Sequence, residues 1–534
     1  MSKPLKPNIT RAILVLAIIA LALTLRLPEL QQRPMHGDEA VHAIKFGALL
    51  EDGYYRYDSF EYHGPTLNYF TLLPAWLSGA HRLIQVNEWT LRLVPVFFGL
   101  VLVLLPLLLT DARGKAAAFV AAALTAISPA MAYYSRYYIQ EMLLVCFTAG
   151  VIVCGYRYAQ SKRAGWAVAV GVFFGLMHAT KETCIIAWAA MGMALLVIGR
   201  GEILSRLKAL NRRHVFAAAI AAAAVSLLFF SSFFTHARGI LDSLLTYKTY
   251  LSRAGNNDLH IHPWHYYLHI LAYFRLGNNP FWSEGLILGL AIVGGTAAFN
   301  KNWSSGANQA LLRFLVCYTV IMTAAYSLIP YKTPWNMLSF LHAMILLAGA
   351  GAMAMFKMFS LRSVRAIALI MLLGGGVHLA WQSCLANYRY DENPANPYVY
   401  AHPVNDVFKI VQRVEEIAQI HPDGRNMHVQ VICPDNDYWP LPWYLRAFDN
   451  IGWWQEVDAA TPAAQLVIAA PQFEPALLHK FYELPPPGQR YLYVPLFDGY
   501  TELRPQIELR GYVRKDLWDR LQEHEASSKK SSNE

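Results

Sequence analysis

Apolar residues run in long blocks along this chain, broken by short polar turns rather than alternating with them. Eleven blocks stand out, at 10–27, 92–110, 115–133, 141–158, 164–178, 182–199, 214–233, 284–299, 309–328, 335–355 and 365–382. A helix needs about 20 apolar residues to cross hydrocarbon, so these blocks predict membrane spans whose ends are adjustable by a few residues. Thr66–Leu77 is also apolar, but it contains Pro74 and is too short to span, which predicts a helix lying in the interface. After residue 383 the pattern changes. A Pro/Asn-rich stretch from Asn387 to Pro397 reads as a linker, Val404–Ile420 has helical periodicity, and 428–433 and 465–469 read as buried strands.

Composition agrees with the pattern. Of 534 residues, 55% are hydrophobic and 15% charged, against about 25% charged in ordinary soluble domains. The net charge of +9 does not call for a nucleic-acid partner, because the basic residues gather in alternate short loops. Lys3, Lys6 and Arg11 form one group, Arg113 and Lys115 the next, then Arg157, Lys162 and Arg163. Arg200, Arg206, Lys208, Arg212 and Arg213 follow, then Lys301 with Arg313, and Lys357 with Arg362 and Arg365. With eleven spans all of these fall on one side, which places the N-terminus inside and the C-terminus outside. The first block lacks a small-residue cleavage site and reads as a retained anchor. Four cysteines lie in or beside spans; Cys384 and Cys433 fall in the outer tail, where a disulfide is chemically permitted.

The outer loops hold the candidate chemistry. Loop 28–91 carries His36, Asp38, Glu39 and His42, then Tyr62-His63-Gly64-Pro65. Later outer loops carry Tyr134–Tyr138 around Arg136 with Gln140-Glu141, then Ala179-Thr-Lys181-Glu182, then Pro330-Tyr331-Lys332-Thr-Pro-Trp335. Charges at a membrane boundary are costly and are usually kept for chemistry. Carboxylates can remove a proton from a hydroxyl, while Lys and Arg neutralise a departing phosphate. Blander uses compete: Asp38 as a helix cap, Arg136 as a snorkelling side chain, Lys181-Glu182 as a local ion pair. His260, His262, His265 and His269 with Asp258 invite a zinc reading, but no cysteine or glutamate completes a site. They are read instead as part of an interfacial helix with Trp264 and Tyr266, in the outer loop 234–283.

These motifs carry a resemblance. The Asp38-Glu39 pair just after the first span resembles GT-C glycosyltransferases of the dolichyl-phosphate-mannose protein mannosyltransferase and aminoarabinose transferase type. Met35-His-Gly-Asp-Glu-Ala40, Tyr62-His-Gly-Pro65, Ala179-Thr-Lys-Glu182, Pro330–Trp335, Asn396-Pro-Tyr-Val-Tyr400 and Tyr438–Arg446 are similar to a bacterial and archaeal subgroup labelled flippase-activity-associated. The resemblance implies a polytopic α-helical GT-C fold of about 11 transmembrane helices with a small C-terminal extracytoplasmic α/β domain. It implies an integral inner- or plasma-membrane enzyme that moves a sugar, with inversion, from a polyprenyl-phosphate donor to a glycan, lipid or protein acceptor on the outer face.

Asp38 is then the expected general base and Glu39 its orienting partner, and the two would hold a divalent metal if the reaction uses one. His63, Arg136, Lys181, Glu182, Tyr331 and Lys332 are the expected substrate-binding residues. The donor and membrane lipids are the expected partners, with no nucleic acid. The rival readings are a lipid-linked sugar flippase and a non-catalytic component of an envelope glycan assembly complex. The expected organisation is a transmembrane domain over 1–383, a linker over 384–398, an extracytoplasmic domain over 399–522 and a disordered tail over 523–534.

Overall fold

The computed structural model describes residues 9–60, 63–110, 115–199, 210–253, 260–300, 302–303 and 308–531. Tyr62, Asp258 and several of the basic loop residues (Lys3, Lys6, Arg113, Arg200, Arg206, Lys208 and Lys301) lie outside them. The chain is helical through most of its length and divides into two compact units. The first comprises 1–30, 48–81 and 88–400; the second comprises 31–47, 82–87 and 401–534.

In the first unit each apolar block becomes a helix. They are α1 (Ile9–Thr24), α4 (Glu88–Leu104), α5 (Lys115–Ile127), α7 (Glu141–Ser161), α8 (Ala164–His178), α9 (Cys184–Ile198), α10 (Arg212–Phe230), α13 (Gly285–Ala297), α14 (Gln309–Leu328), α15 (Leu338–Met358) and α16 (Arg362–Tyr388). Among the described residues six helical segments are long and apolar enough to cross a membrane, and five apolar helices are shorter. Between them lie α3 (Thr66–Leu77), α6 (Pro129–Tyr134), α11 (Arg238–Arg253) and α12 (Tyr266–Ala272). The segment containing α15 has 94% of its apolar window buried, whereas α10 has 6% and α16 has 11%. An apolar surface left uncovered by protein belongs against lipid, so α15 is the central post and α10 and α16 are the rim. Helices α13 and α15 meet backbone to backbone: a Cβ on Gly294 would lie 2.0 Å from the Leu347 carbonyl oxygen. Small residues permit such contacts where no water drives helices together.

The second unit contains α2 (Gly37–Asp52) up to Gly47, and an α/β body. Its strands are β1 (Val429–Ile432), β2 (Ile451–Trp454), β3 (Leu466–Ala469), β4 (Tyr493–Pro495), β5 (Glu502–Arg504), β6 (Ile507–Glu508) and β7 (Arg510–Arg514). Five form a sheet ordered β2-β1-β3-β7-β4, with β1 parallel to β2 and β3, and β7 antiparallel to β3 and β4. Side chains alternate across the sheet. Val429, Val431, Leu466 and Ile468 face α17 (Asp406–Ile420) and α18 (Lys515–Ser531), while Ile432, Val467 and Ala469 pack on Leu477 and Phe481.

Three boundaries in the structure fall elsewhere than expected. Helix α16 continues to Tyr388, into the predicted linker, because no proline interrupts it before Pro394. Residues 523–531, read as the start of a disordered tail, continue the last helix to Ser531. Residues 31–47 and 82–87 group with the sheet-bearing unit rather than with the spans. All six cysteines are free thiols, and Cys433 is a buried core residue.

Candidate active site

Within the second unit, the start of α2 separates the two adjacent carboxylates. The His36 carbonyl accepts the first helical bond, from the Ala40 N–H at 3.0 Å, so His36 is the cap residue. Its ring Nδ1 accepts the Asp38 N–H at 3.1 Å, and Glu39 reaches back to accept the His36 N–H at 2.9 Å. This is a capping box with histidine in the serine position. Glu39 is fully buried and lies 3.6 Å from the Arg33 guanidinium, itself buried. Asp38 keeps 54% of its side-chain surface exposed. The cap predicted for Asp38 is therefore supplied by its neighbours. His402 packs near this turn, its ring centroid 5.8 Å from that of His36 and its Nδ1 2.7 Å from the Pro403 carbonyl oxygen, to which it donates. Burial, then the charge of Arg33, holds the His402 imidazole well below the usual histidine range, so it stays neutral.

A divalent ion is the other use a carboxylate pair suggests, and the residues present do not fit one. Glu39 is committed to Arg33 and the His36 N–H, and among the described residues no group of three His, Cys, Asp or Glu side chains is arranged to hold a metal ion.

Within the first unit, two motifs distant in sequence form one constellation. A Cβ on Gly64 would lie 2.2 Å from the Ala179 carbonyl oxygen, so only glycine lets the strands of chain touch there. The Thr66 N–H donates to that same oxygen at 3.2 Å, and the Thr66 and Thr180 hydroxyls lie 2.8 Å apart. The contact brings His63 Nδ1 to 2.8 Å from Glu182, whose other oxygen accepts the Tyr57 hydroxyl at 3.0 Å. Burial alone would raise the Glu182 carboxyl, but the His63 partner and the Tyr57 hydrogen bond outweigh it and hold it below the usual range. His63 keeps a quarter of its side chain exposed.

Lys181 does not pair with Glu182. Its ammonium is buried against Glu141, and that attraction overcomes burial to raise its pKa. Arg136 is buried rather than snorkelling: it donates to the Glu29 carbonyl at 3.1 Å and lies 4.8 Å over the Tyr388 ring. Lys332 is enclosed by main-chain oxygens, donating to the carbonyls of His262 at 3.0 Å, Ile329 and Pro330. Tyr331 is exposed and bridges to Ile261, with the His260 ring edge-on at 5.3 Å.

The histidine cluster is not one helical face. His260 and His262 precede α12 and both reach the Tyr400 hydroxyl, at 2.6 and 3.0 Å. Further buried partners went unread. Arg33 lies five residues ahead of Asp38. Glu284, whose Oε1 accepts from the Ser128 hydroxyl, the Ala130 N–H and the Tyr398 hydroxyl, joins three loops. Its only signal in sequence is an acidic residue at the mouth of a span.

Two solved structures share this architecture. That of ArnT from Cupriavidus metallidurans bound to undecaprenyl phosphate matches with a TM-score of 0.59 at 15% identity, over 93% of this chain and 97% of that one. The archaeal oligosaccharyltransferase AglB from Archaeoglobus fulgidus, in complex with an inhibitory peptide and a dolichol-phosphate, matches at 0.54 and 12% identity, over 86% of this chain and 69% of that one. The chain is thus a polytopic membrane protein with the GT-C fold and a small C-terminal sheet domain. Residues 70–231 further match the family model described as dolichyl-phosphate-mannose-protein mannosyltransferase. That segment contains Arg136, Lys181 and Glu182 and excludes Asp38 and Lys332. No curated protein sequence matches the chain.

Proposed function

We propose that this protein is a membrane glycosyltransferase that moves a sugar from a polyprenyl-phosphate donor to a hydroxyl-bearing acceptor, with Asp38 as general base. The observation that carries the proposal is the division of labour in the carboxylate pair: Glu39 is buried on Arg33 and His36, and Asp38 faces outward from the first turn of α2. In the reaction, an Asp38 oxygen takes the acceptor's hydroxyl proton while the acceptor oxygen attacks the anomeric carbon. The bond from that carbon to the phosphate oxygen breaks, its electron pair leaves on phosphate, and attack from the opposite side inverts the centre. Stabilising the leaving phosphate calls for cations or N–H donors, for which Arg136, Lys181 and His63, oriented by Glu182, are the candidates. Tyr331, exposed beside His260, is a candidate for sugar contact. Lys332 is assigned a structural task, since three carbonyls already surround its ammonium. The donor's lipid tail requires the site to lie at the membrane boundary, on the outer side by the distribution of basic loops.

The test is transfer or slow hydrolysis from a panel of radiolabelled polyprenyl-phosphate sugars by the purified protein in liposomes, beside Asp38→Asn. Turnover by the wild type that is lost in the variant supports the assignment. Equal turnover by both overturns the role of Asp38, and movement of labelled lipid between leaflets without sugar release overturns the enzyme.

A further inference from the structure

The Tyr438–Arg446 segment has no part in the chemistry above, yet within the second unit it touches the start of α2 directly and reaches its Gly47 end through Leu83. The Tyr444 hydroxyl lies 2.8 Å from the Met35 N–H, one residue ahead of the cap, and accepts from it. A Cβ on Gly37 would come within 3.6 Å of the Trp439 Cβ, so the first helical residue rests on that ring's stem. Arg446, its guanidinium 3.8 Å over the Trp443 ring, donates to the Leu83 and Val86 carbonyls. Leu83 in turn packs on Gly47, where an added Cβ would fall 2.7 Å from it. His402 packs beside the same turn, its ring centroid 5.8 Å from that of His36.

We propose that Tyr444, Trp439 and Arg446 form a clamp that positions the Asp38 carboxylate, making the sheet-bearing domain part of the catalytic apparatus. These are positioning residues: none is asked to touch substrate. Tyr444 and Trp439 hold the start of the turn directly and Arg446 steadies the far end through Leu83, which suits a carboxylate whose orientation must be kept within a few tenths of an ångström. The proposal rests on Asp38 as base, and its test reads the clamp apart from that assignment.

The experiment is hydrogen–deuterium exchange with mass spectrometry on full-length Tyr444→Phe in liposomes, with kcat and KM measured for the donor found in the panel. Tyr444→Phe removes one hydroxyl from an otherwise unchanged ring, so folding is retained. The expected result is about fivefold faster exchange of the 35–40 amides in Tyr444→Phe, the effect of one hydrogen bond. Exchange in β1 and β3 stays as in wild type, kcat falls, and KM is unchanged. Unchanged exchange at 35–40 overturns the clamp, and so does raised exchange with wild-type kcat. Failure of the Asp38 assignment would register separately, as wild-type turnover by Asp38→Asn.

Discussion

Adjacent carboxylates with opposite environments should fail in opposite ways. Glu39→Gln keeps the side-chain shape and an oxygen for the His36 N–H, so the cap at 2.9 Å persists. What it removes is the counter-charge 3.6 Å from the buried Arg33. Coulomb's law at an effective dielectric of about 20 gives about 4.6 kcal/mol for unit charges at that separation. Breaking a buried pair by removing one partner costs roughly 3–5 kcal/mol, because the other charge is left buried. The expected loss is therefore about 3–4 kcal/mol. For a unit of this size that lowers the melting temperature by on the order of 10 °C. Asp38→Asn, at a half-exposed position, should stay within about 0.5 kcal/mol of wild type. Thermal unfolding in detergent with a tryptophan signal, at one protein and detergent concentration, makes the comparison, and turnover measured below the transition completes it. Glu39→Gln should retain catalysis by its folded fraction, and Asp38→Asn should retain stability without catalysis. A stable Glu39→Gln protein beside an unstable Asp38→Asn would show the roles reversed and refute the reasoning.

Other positions give equally direct outcomes. Gly64→Ala drives a methyl into the Ala179 carbonyl and should cost about 1–3 kcal/mol, read as lower expression and earlier unfolding, with loss of the His63–Glu182 contact. Lys332→Met leaves the His262, Ile329 and Pro330 carbonyls without their donor, so it should lower folded yield while the donor KM of the surviving protein is unchanged; a KM rise at full yield would return Lys332 to phosphate binding. For His402 the folded pKa lies below the ordinary 6.5, so the unfolded chain binds more protons as pH falls through 6.5. Stability is complete above that pH and falls below it by up to about 1.4 kcal/mol per pH unit until the folded value is reached. Comparing denaturation at pH 7 and pH 5 should show this slope in wild type and its loss in His402→Gln.

What the sequence disclosed follows from how each signal is encoded. A span must bury apolar residues along its whole length whatever its neighbours, so α7 and α14 are written in local composition and are placed within a few residues. The same holds for β3, a continuous apolar run in a sheet covered on both faces, and for β1, which Gln430 alone interrupts. Pairing is different, because it depends on which distant backbone arrives. Lys181 and Glu182 are neighbours in sequence, yet each takes a partner from elsewhere, Glu141 and His63. Lys332 looked like a cation awaiting an anion because carbonyl oxygens have no sequence signature. The histidines failed for the opposite reason: spacing at 265 and 269 suggested a helical face, while the working pair, 260 and 262, is set by Tyr400 from about 140 residues away. The start of α2 was half legible. Its acidic pair marked the site, but which carboxylate is structural was decided by Arg33 and by a histidine standing in for the usual serine cap, a substitution that pattern rules do not anticipate. Where a motif pairs a charged or titratable residue with a glycine, as at His63-Gly64, the glycine is the better guide to tertiary contact: the Ala179 carbonyl lies where its missing side chain would have been.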